Sequence, residues 1–272
     1  MRLAIAVAAL LLVAGIAALG WRLVDEDTRG ADVETVEIDS RHVPGMDPLP
    51  VTLVEPAGIE EGERRPLLVF LHGRGEDGHE SNLGEALYAA LGELGDDAPV
   101  VAFPSGGVSS YWHDRDGGDW ESYVVGEVIP LAARRMPVDL DRVAIGGISM
   151  GGFGALHIAR RHPGRFCAVG AHSPALWRSG AETAPGAFDD AEDFARHDVV
   201  GAARSDPEAF TSQPLWIDVG RSDPFVPGVR AFAEGLGIEP RVSDGGHDAD
   251  YWRAHLRAYL RFYAESCSGD ER

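Results

Sequence analysis

The stretch Gly147-Ile148-Ser149-Met150-Gly151 constrains this chain more than any other. It stands between an apolar run, Arg142-Val143-Ala144-Ile145-Gly146, and a small-residue continuation, Gly152-Phe153-Gly154-Ala155-Leu156. That order implies a short strand, a tight turn and a helix. A serine at the apex of such a turn is forced into an uncommon backbone conformation, and neighbouring chain must pass very close to it. Glycine at 147 and 151 permits the approach, because a Cβ there would collide with main chain. The amides that open the helix carry partial positive charge and face any anion formed beside the serine. This is the G-x-S-x-G nucleophile elbow in the setting its chemistry needs.

A nucleophilic serine requires a base and an acid, which follow it in the order acid, then histidine, in chains of this type. Asp223 lies just beyond the apolar strand Leu215–Gly220, and loops at the carboxyl ends of strands are where open α/β sheets bind ligands. Asp218, inside that strand, is the weaker candidate. His247 stands in Asp244-Gly245-Gly246-His247-Asp248, whose glycines let the loop fold back towards Ser149. The expected catalytic set is therefore Ser149, Asp223 and His247. An oxyanion would be held by the Met150 amide and by one from His72-Gly73-Arg74, assigned to Arg74 with Gly73 as alternative. His72 is then structural. Candidate pocket-lining residues are Trp112, Trp120, Phe153, Trp177 and Phe225, with His172 at the end of a strand.

The surrounding pattern gives the fold class. Continuous apolar runs at 66–71, 99–104, 142–146, 167–171 and 215–220 read as strands buried on both faces. Helical segments near 83–94, 121–135 and 251–263 separate or follow them. Strands alternating with helices imply an α/β-hydrolase type of α/β fold, with a mostly parallel central sheet covered on both sides. Runs at 35–38 and 51–54 read as the antiparallel strands that begin such sheets, and 241–242 as a weak last strand. Residues 174–212 lack a strong strand and hold helical fragments, which suits a small helical cap.

Composition narrows the partners. With 44% hydrophobic residues in 272, the chain can bury one large core. A formal net charge of -20 disfavours nucleic acid or an anionic membrane surface as partner. Residues 3–21 form an uninterrupted apolar run, about 28 Å long as a helix and close to the thickness of a bilayer core. It reads as a signal peptide or a retained anchor over 1–22, so export is expected, and any membrane contact is through this segment. A polar linker (23–34), a catalytic domain (35–265) and a tail (266–272) complete the organisation. Cys167 and Cys267 are the only cysteines, and at that separation two free thiols are expected. The acidic loop Asp114–Glu121 fails the spacing of a calcium-binding loop, so no metal and no cofactor are expected.

The chain resembles the esterase D-like α/β-hydrolases, which include S-formylglutathione hydrolases, feruloyl esterases and secreted mycolyltransferases. The matching pieces are the stretch 147–156, Trp120-Glu121-Ser122-Tyr123, Ser173-Pro174-Ala175-Leu176-Trp177, and Gly246-His247-Asp248 followed by Tyr251-Trp252-Arg253. In this chain Ala249 and Asp250 displace the aromatic residue that often follows the His-Asp pair. The resemblance implies an acyl-enzyme mechanism on Ser149, Asp223 and His247 acting on a small-molecule ester. Transfer of the acyl group to a sugar hydroxyl, as in mycolyltransferases, is the alternative. An exported hydrolase-fold module that only binds is the other.

Overall fold

Aliphatic and β-branched runs bounded by glycine and proline become the strands of one eight-stranded sheet. The computed structural model describes residues 27–46, 48–75 and 83–268. The apolar run at 3–21 lies outside the described residues. Along the chain come β1 (Asp32–Ile38), β2 (Leu49–Glu55), β3 (Arg65–Leu71) and β4 (Val100–Pro104). A two-residue hairpin, β5 (Asp114–Arg115) with β6 (Gly118–Asp119), forms its own small ribbon. The main sheet resumes with β7 (Val138–Ile148), β8 (Ala168–His172), β9 (Leu215–Gly220) and β10 (Arg241–Ser243).

The sheet order is β1-β2-β4-β3-β7-β8-β9-β10. β1 and β2 run antiparallel to their neighbours, and every pairing from β4 to β10 is parallel. Parallel strands need crossovers on the faces, and both faces are covered here. Helices α1 (Glu85–Leu94) and α9 (Ala249–Ser266) bury Leu87, Tyr88, Leu256 and Tyr259 against Leu68, Phe70 and Val101. On the other face, α4 (Met150–Arg161) and α8 (Val226–Leu236) pack Phe153, Leu156 and Phe232 into a larger core with Leu67, Val69 and Ile145.

Between β6 and β7 the chain is helical as α2 (Trp120–Tyr123), a π-helical turn (Val124–Val128) and α3 (Ile129–Arg135). Pro130 explains the wide turn: it has no N–H to donate, and its ring crowds the carbonyl four residues back. The segment after β8 supplies three short helices, α5 (Ala191–His197), α6 (Val199–Ser205) and α7 (Glu208–Thr211). Asp190 and Asp198 cap the first two, accepting from the Asp193 and Gly201 amides at 2.8 Å each.

Two boundaries differ from the sequence reading. β1 begins at Asp32, inside the expected linker, because its ladder partner Glu55 extends β2 that far. Cys267 is not part of a free tail but a buried residue closing α9, bonded to Cys167 in a disulfide. The expectation of two free thiols is thus corrected. The residues are 100 apart in sequence, but β8 and the end of α9 bring their Cα atoms to 5.3 Å.

Candidate active site

Ser149 sits between the last residue of β7 and the first of α4, with φ 53° and ψ -113°. A positive φ is strained for a residue carrying a Cβ, and it persists only where the surroundings enforce it. The enforcement is visible in the hydrogen bonds. The Ser149 amide donates to His172 O at 3.0 Å, and its carbonyl accepts from Phe153 and Ala175 at 3.1 and 2.9 Å. The glycines at 147 and 151 are required by contact. A Cβ on Gly151 would collide with the Leu71 carbonyl, and one on Gly147 would lie 2.5 Å from the same oxygen.

The loops after β9 and β10 interlock. The amides of Arg221 and Ser222 donate to Ser243 O and Gly245 O at 2.7 and 2.9 Å. The approach is close enough that a Cβ on Gly220 would meet Gly245 O at 2.6 Å. Asp248 caps α9 through the Tyr251 amide at 2.9 Å, so His247 is held one residue before a helix start. The result is one hydrogen-bonded line. His247 Nε2 lies 2.8 Å from Ser149 Oγ, and His247 Nδ1 lies 2.8 Å from Asp223 Oδ2. The other Asp223 oxygen accepts from the Phe225 amide at 2.7 Å. Asp223 is buried, which fixes Nδ1 as the protonated nitrogen and leaves Nε2 to accept from the serine.

The loop after β3 lies against the same turn. His72 Nε2 accepts from the Gly106 amide at 2.8 Å, so the proton is on Nδ1, which donates to Gly73 O at 2.7 Å. His72 O in turn accepts from Trp112 Nε1 at 3.3 Å. His72 is buried within this loop and is no part of the hydrogen-bonded line. The Met150 amide opens α4 directly after the serine.

A family model described as "Putative esterase" matches residues 47–263, which span β2 to β10 and both loops of this site. The chain belongs to that family. An esterase of Mycobacterium tuberculosis is 30% identical over 123 residues, covering 41% of this chain and 26% of that one. An S-formylglutathione hydrolase of Paracoccus denitrificans is 30% identical over 156 residues, covering 53% of this chain and 55% of that one. The chain thus spans about a quarter of the first relative's length and about half of the second's. Among solved structures, a ferulic acid esterase superposes with a TM-score of 0.73 at 21% identity, covering 87% of this chain and 99% of that one. At that identity the likeness speaks for an α/β-hydrolase fold shared by the esterase family.

The aromatic residues divide into three groups in this esterase-family chain. Phe225 stands edge-on to His247 at 5.0 Å between ring centroids, Trp177 follows at 5.7 Å from Phe225, and Phe153 at 6.5 Å from Trp177. These three form a continuous row leading from the histidine, of which Phe153 and Trp177 are buried in the core and Phe225 is partly exposed. Trp120 instead lines a separate cavity of about 240 Å³ with Met46, Gly107, Val108 and Arg115. Trp112 is fully buried, packed where a Cβ on Gly106 or Gly154 would strike it, so it is core and not pocket. Trp252 comes edge-on to His247 at 5.3 Å, so the ring displaced in sequence returns one helical turn later.

His172 is likewise corrected. It is fully buried, stacked on Tyr259 at 3.5 Å, and belongs to a network on the other side of the sheet. There the Asp218 carboxylate accepts from His172 Nδ1, Trp216 Nε1, Tyr251 OH and Tyr259 OH at 2.7 to 2.9 Å. His172 Nε2 accepts from Tyr263 OH at 2.8 Å. Burial alone would raise the Asp218 pKa, but the bonds from His172, Tyr259 and Tyr251 outweigh it and hold the carboxyl below its usual range. Asp218 therefore carries a structural charge, while Asp223 faces His247.

Sequence reasoning missed a second buried carboxylate. Glu121, at the start of α2, accepts from His157, Arg161 and His162 at 2.8 to 2.9 Å. Burial opposes ionisation there, yet the bonds from His157 and Arg161 draw its pKa down to about 2. In the acidic loop beside it, both Asp114 oxygens accept from Ser122, at 3.1 and 2.8 Å.

Proposed function

We propose that this chain is a serine-dependent carboxylic ester hydrolase working outside the cytoplasm. The observation that carries the reading is the placement of His247 between Ser149 and Asp223, in a chain of the esterase family. Ser149 Oγ attacks the ester carbonyl carbon while His247 Nε2 takes its proton. The Asp223 carboxylate holds the ring by Nδ1–H and stabilises the imidazolium that forms. The oxyanion is received by the amides of Met150 and Arg74. Collapse of the tetrahedral adduct returns the proton to the leaving alcohol and leaves an acyl-enzyme. Water, deprotonated by the same imidazole, then releases the acid and restores the serine.

Phe225, partly exposed beside the histidine, offers flat apolar surface, which suits an aryl or aliphatic acyl group. Export is supported by the apolar run at 3–21 and by a disulfide, a bond that persists in oxidising compartments. Among the described residues no helix is long and apolar enough to cross a membrane.

The test is hydrolysis of a panel of p-nitrophenyl, feruloyl and acetylated-sugar esters, with and without trehalose. Turnover that yields free acid, lost by roughly 10³-fold or more in Ser149→Ala, supports the reading. Acylated trehalose as main product would assign acyl transfer instead. Equal turnover in Ser149→Ala would refute both.

A further inference from the structure

Outside that site, His113, Asp193 and His197 meet in the interior. Asp193 and His197 are four apart on α5, a spacing that sets both side chains on one face of the helix. His113 comes to them from the loop before β5. His113 Nε2 lies 3.1 Å from Asp193 Oδ2, and His197 Nε2 lies 3.3 Å from Asp193 Oδ1. The donor atoms of all three residues fall within 4.8 Å of one another. His113 and Asp193 are wholly buried and His197 is 7% exposed.

A tetrahedral cation with metal–nitrogen and metal–oxygen bonds of about 2.0–2.1 Å sets neighbouring donors roughly 3.3 Å apart. Two of the three separations match that spacing, each to a different Asp193 oxygen, and the third lies within 4.8 Å. Two imidazoles and one carboxylate are the donor set of borderline divalent cations, zinc foremost, with a fourth position for water. The surroundings are those of a supported site. His197 Nδ1 lies 3.3 Å from His157 Nε2, whose own proton goes to Glu121 at 2.9 Å. Phe188 stacks on His113 at 5.1 Å and Phe153 closes its edge at 6.2 Å. Asp193 also accepts from the Asp189 amide at 2.9 Å and from Arg196 at 3.2 Å. Arg196 is half-exposed and also reaches Glu192 at 3.4 Å, so it keeps a partner when Asp193 turns to a cation.

We propose that His113, Asp193 and His197 bind a divalent cation of the zinc class and thereby fasten α5 to the body of the domain. The role is structural. His113 follows Trp112, which packs on α4, whereas Asp193 and His197 belong to α5, in the segment between β8 and β9. An unbroken row of rings, His113, Phe188, Trp177, Phe225 and His247, runs from the cluster to the catalytic histidine at 5.0 to 5.9 Å steps. None of the three ligands belongs to the Ser149–His247–Asp223 line.

The test counts zinc on the full, untagged chain after equilibration with micromolar zinc sulfate and desalting. About one zinc per chain is expected, retained in Ser149→Ala, with Tm raised by several degrees over the chelator-treated protein. His113→Asn and His197→Gln should lose both the metal and the Tm response. Zinc absorption spectroscopy on the wild-type chain should report two imidazole ligands, whether or not the variants fold. No retained zinc, equal zinc in folded variants, or a spectrum without imidazole would overturn the proposal.

Discussion

His72 donates its Nδ1–H to the carbonyl of its own neighbour, Gly73, at 2.7 Å. The peptide joining Gly73 to Arg74 is trans, so a held carbonyl points the Arg74 N–H the opposite way. His72 thereby orients the oxyanion donor proposed above without touching the substrate. Replacing it with alanine should lower kcat on a p-nitrophenyl ester by roughly 10- to 100-fold, most of the worth of one such donor. KM should move by less than about threefold. A loss confined to KM would place His72 in substrate binding instead.

Asp223 and Asp218 are five residues apart but face different groups. Asp223→Asn should cut kcat by roughly 10³–10⁴-fold with little change in Tm, because it disturbs the tautomer of His247 and no core packing. Asp218→Asn should do the reverse. It puts an amide among four buried donors and should cost about 3 kcal/mol of stability, with kcat of the folded fraction within a few-fold. Urea melts and steady-state kinetics on both variants separate the two roles.

Gly151→Ala should leave little folded protein, because the added methyl would overlap the Leu71 carbonyl, which belongs to a central strand and cannot yield. Gly164→Ala offers a contrast. Its added Cβ meets nothing within 4 Å, and only the positive φ of 73° opposes it. A loss of about 1 kcal/mol is expected there. Circular dichroism melts compare them.

Reducing the Cys167–Cys267 disulfide releases a loop of 100 residues from the unfolded chain. The chain-entropy relation puts its contribution at about 4–5 kcal/mol for such a loop. Cys267→Ala should lower Tm markedly and leave kcat at 25 °C nearly unchanged, since neither sulfur belongs to the site.

Acid should destabilise the fold through His172. Burial holds its pKa below the usual histidine value, despite the bond to Asp218. The unfolded chain then binds the proton first, so stability rises with pH across the window beneath about 6.5. The contribution is in full above that value and is lost as pH falls towards the folded pKa. His172→Gln, less stable throughout, should show a flatter Tm between pH 7 and 5 than the parent measured in chelator.

Much of the site was legible because it is built from local signals. The elbow announces itself by glycines whose Cβ atoms have no room, and the two loops by their position at strand ends. What the sequence hid was the choice of face. His172 and Asp218 both occupy strands whose two sides are buried, so no polar alternation tells which side each side chain takes. Trp112 looks like any loop aromatic until Gly106 and Gly154 are seen against its ring. The disulfide and the His113–Asp193–His197 cluster join residues 100 and 80 or more positions apart, and only the α5 pair had a local spacing to find.

The most direct measurement is labelling by a fluorophosphonate, followed by peptide mass spectrometry. The account expects one adduct per chain on Ser149, absent from Ser149→Ala and slowed by more than roughly 10²-fold in His247→Ala. Unlabelled wild-type protein, or labelling of Ser149 that proceeds at full rate without the imidazole of His247, would contradict it.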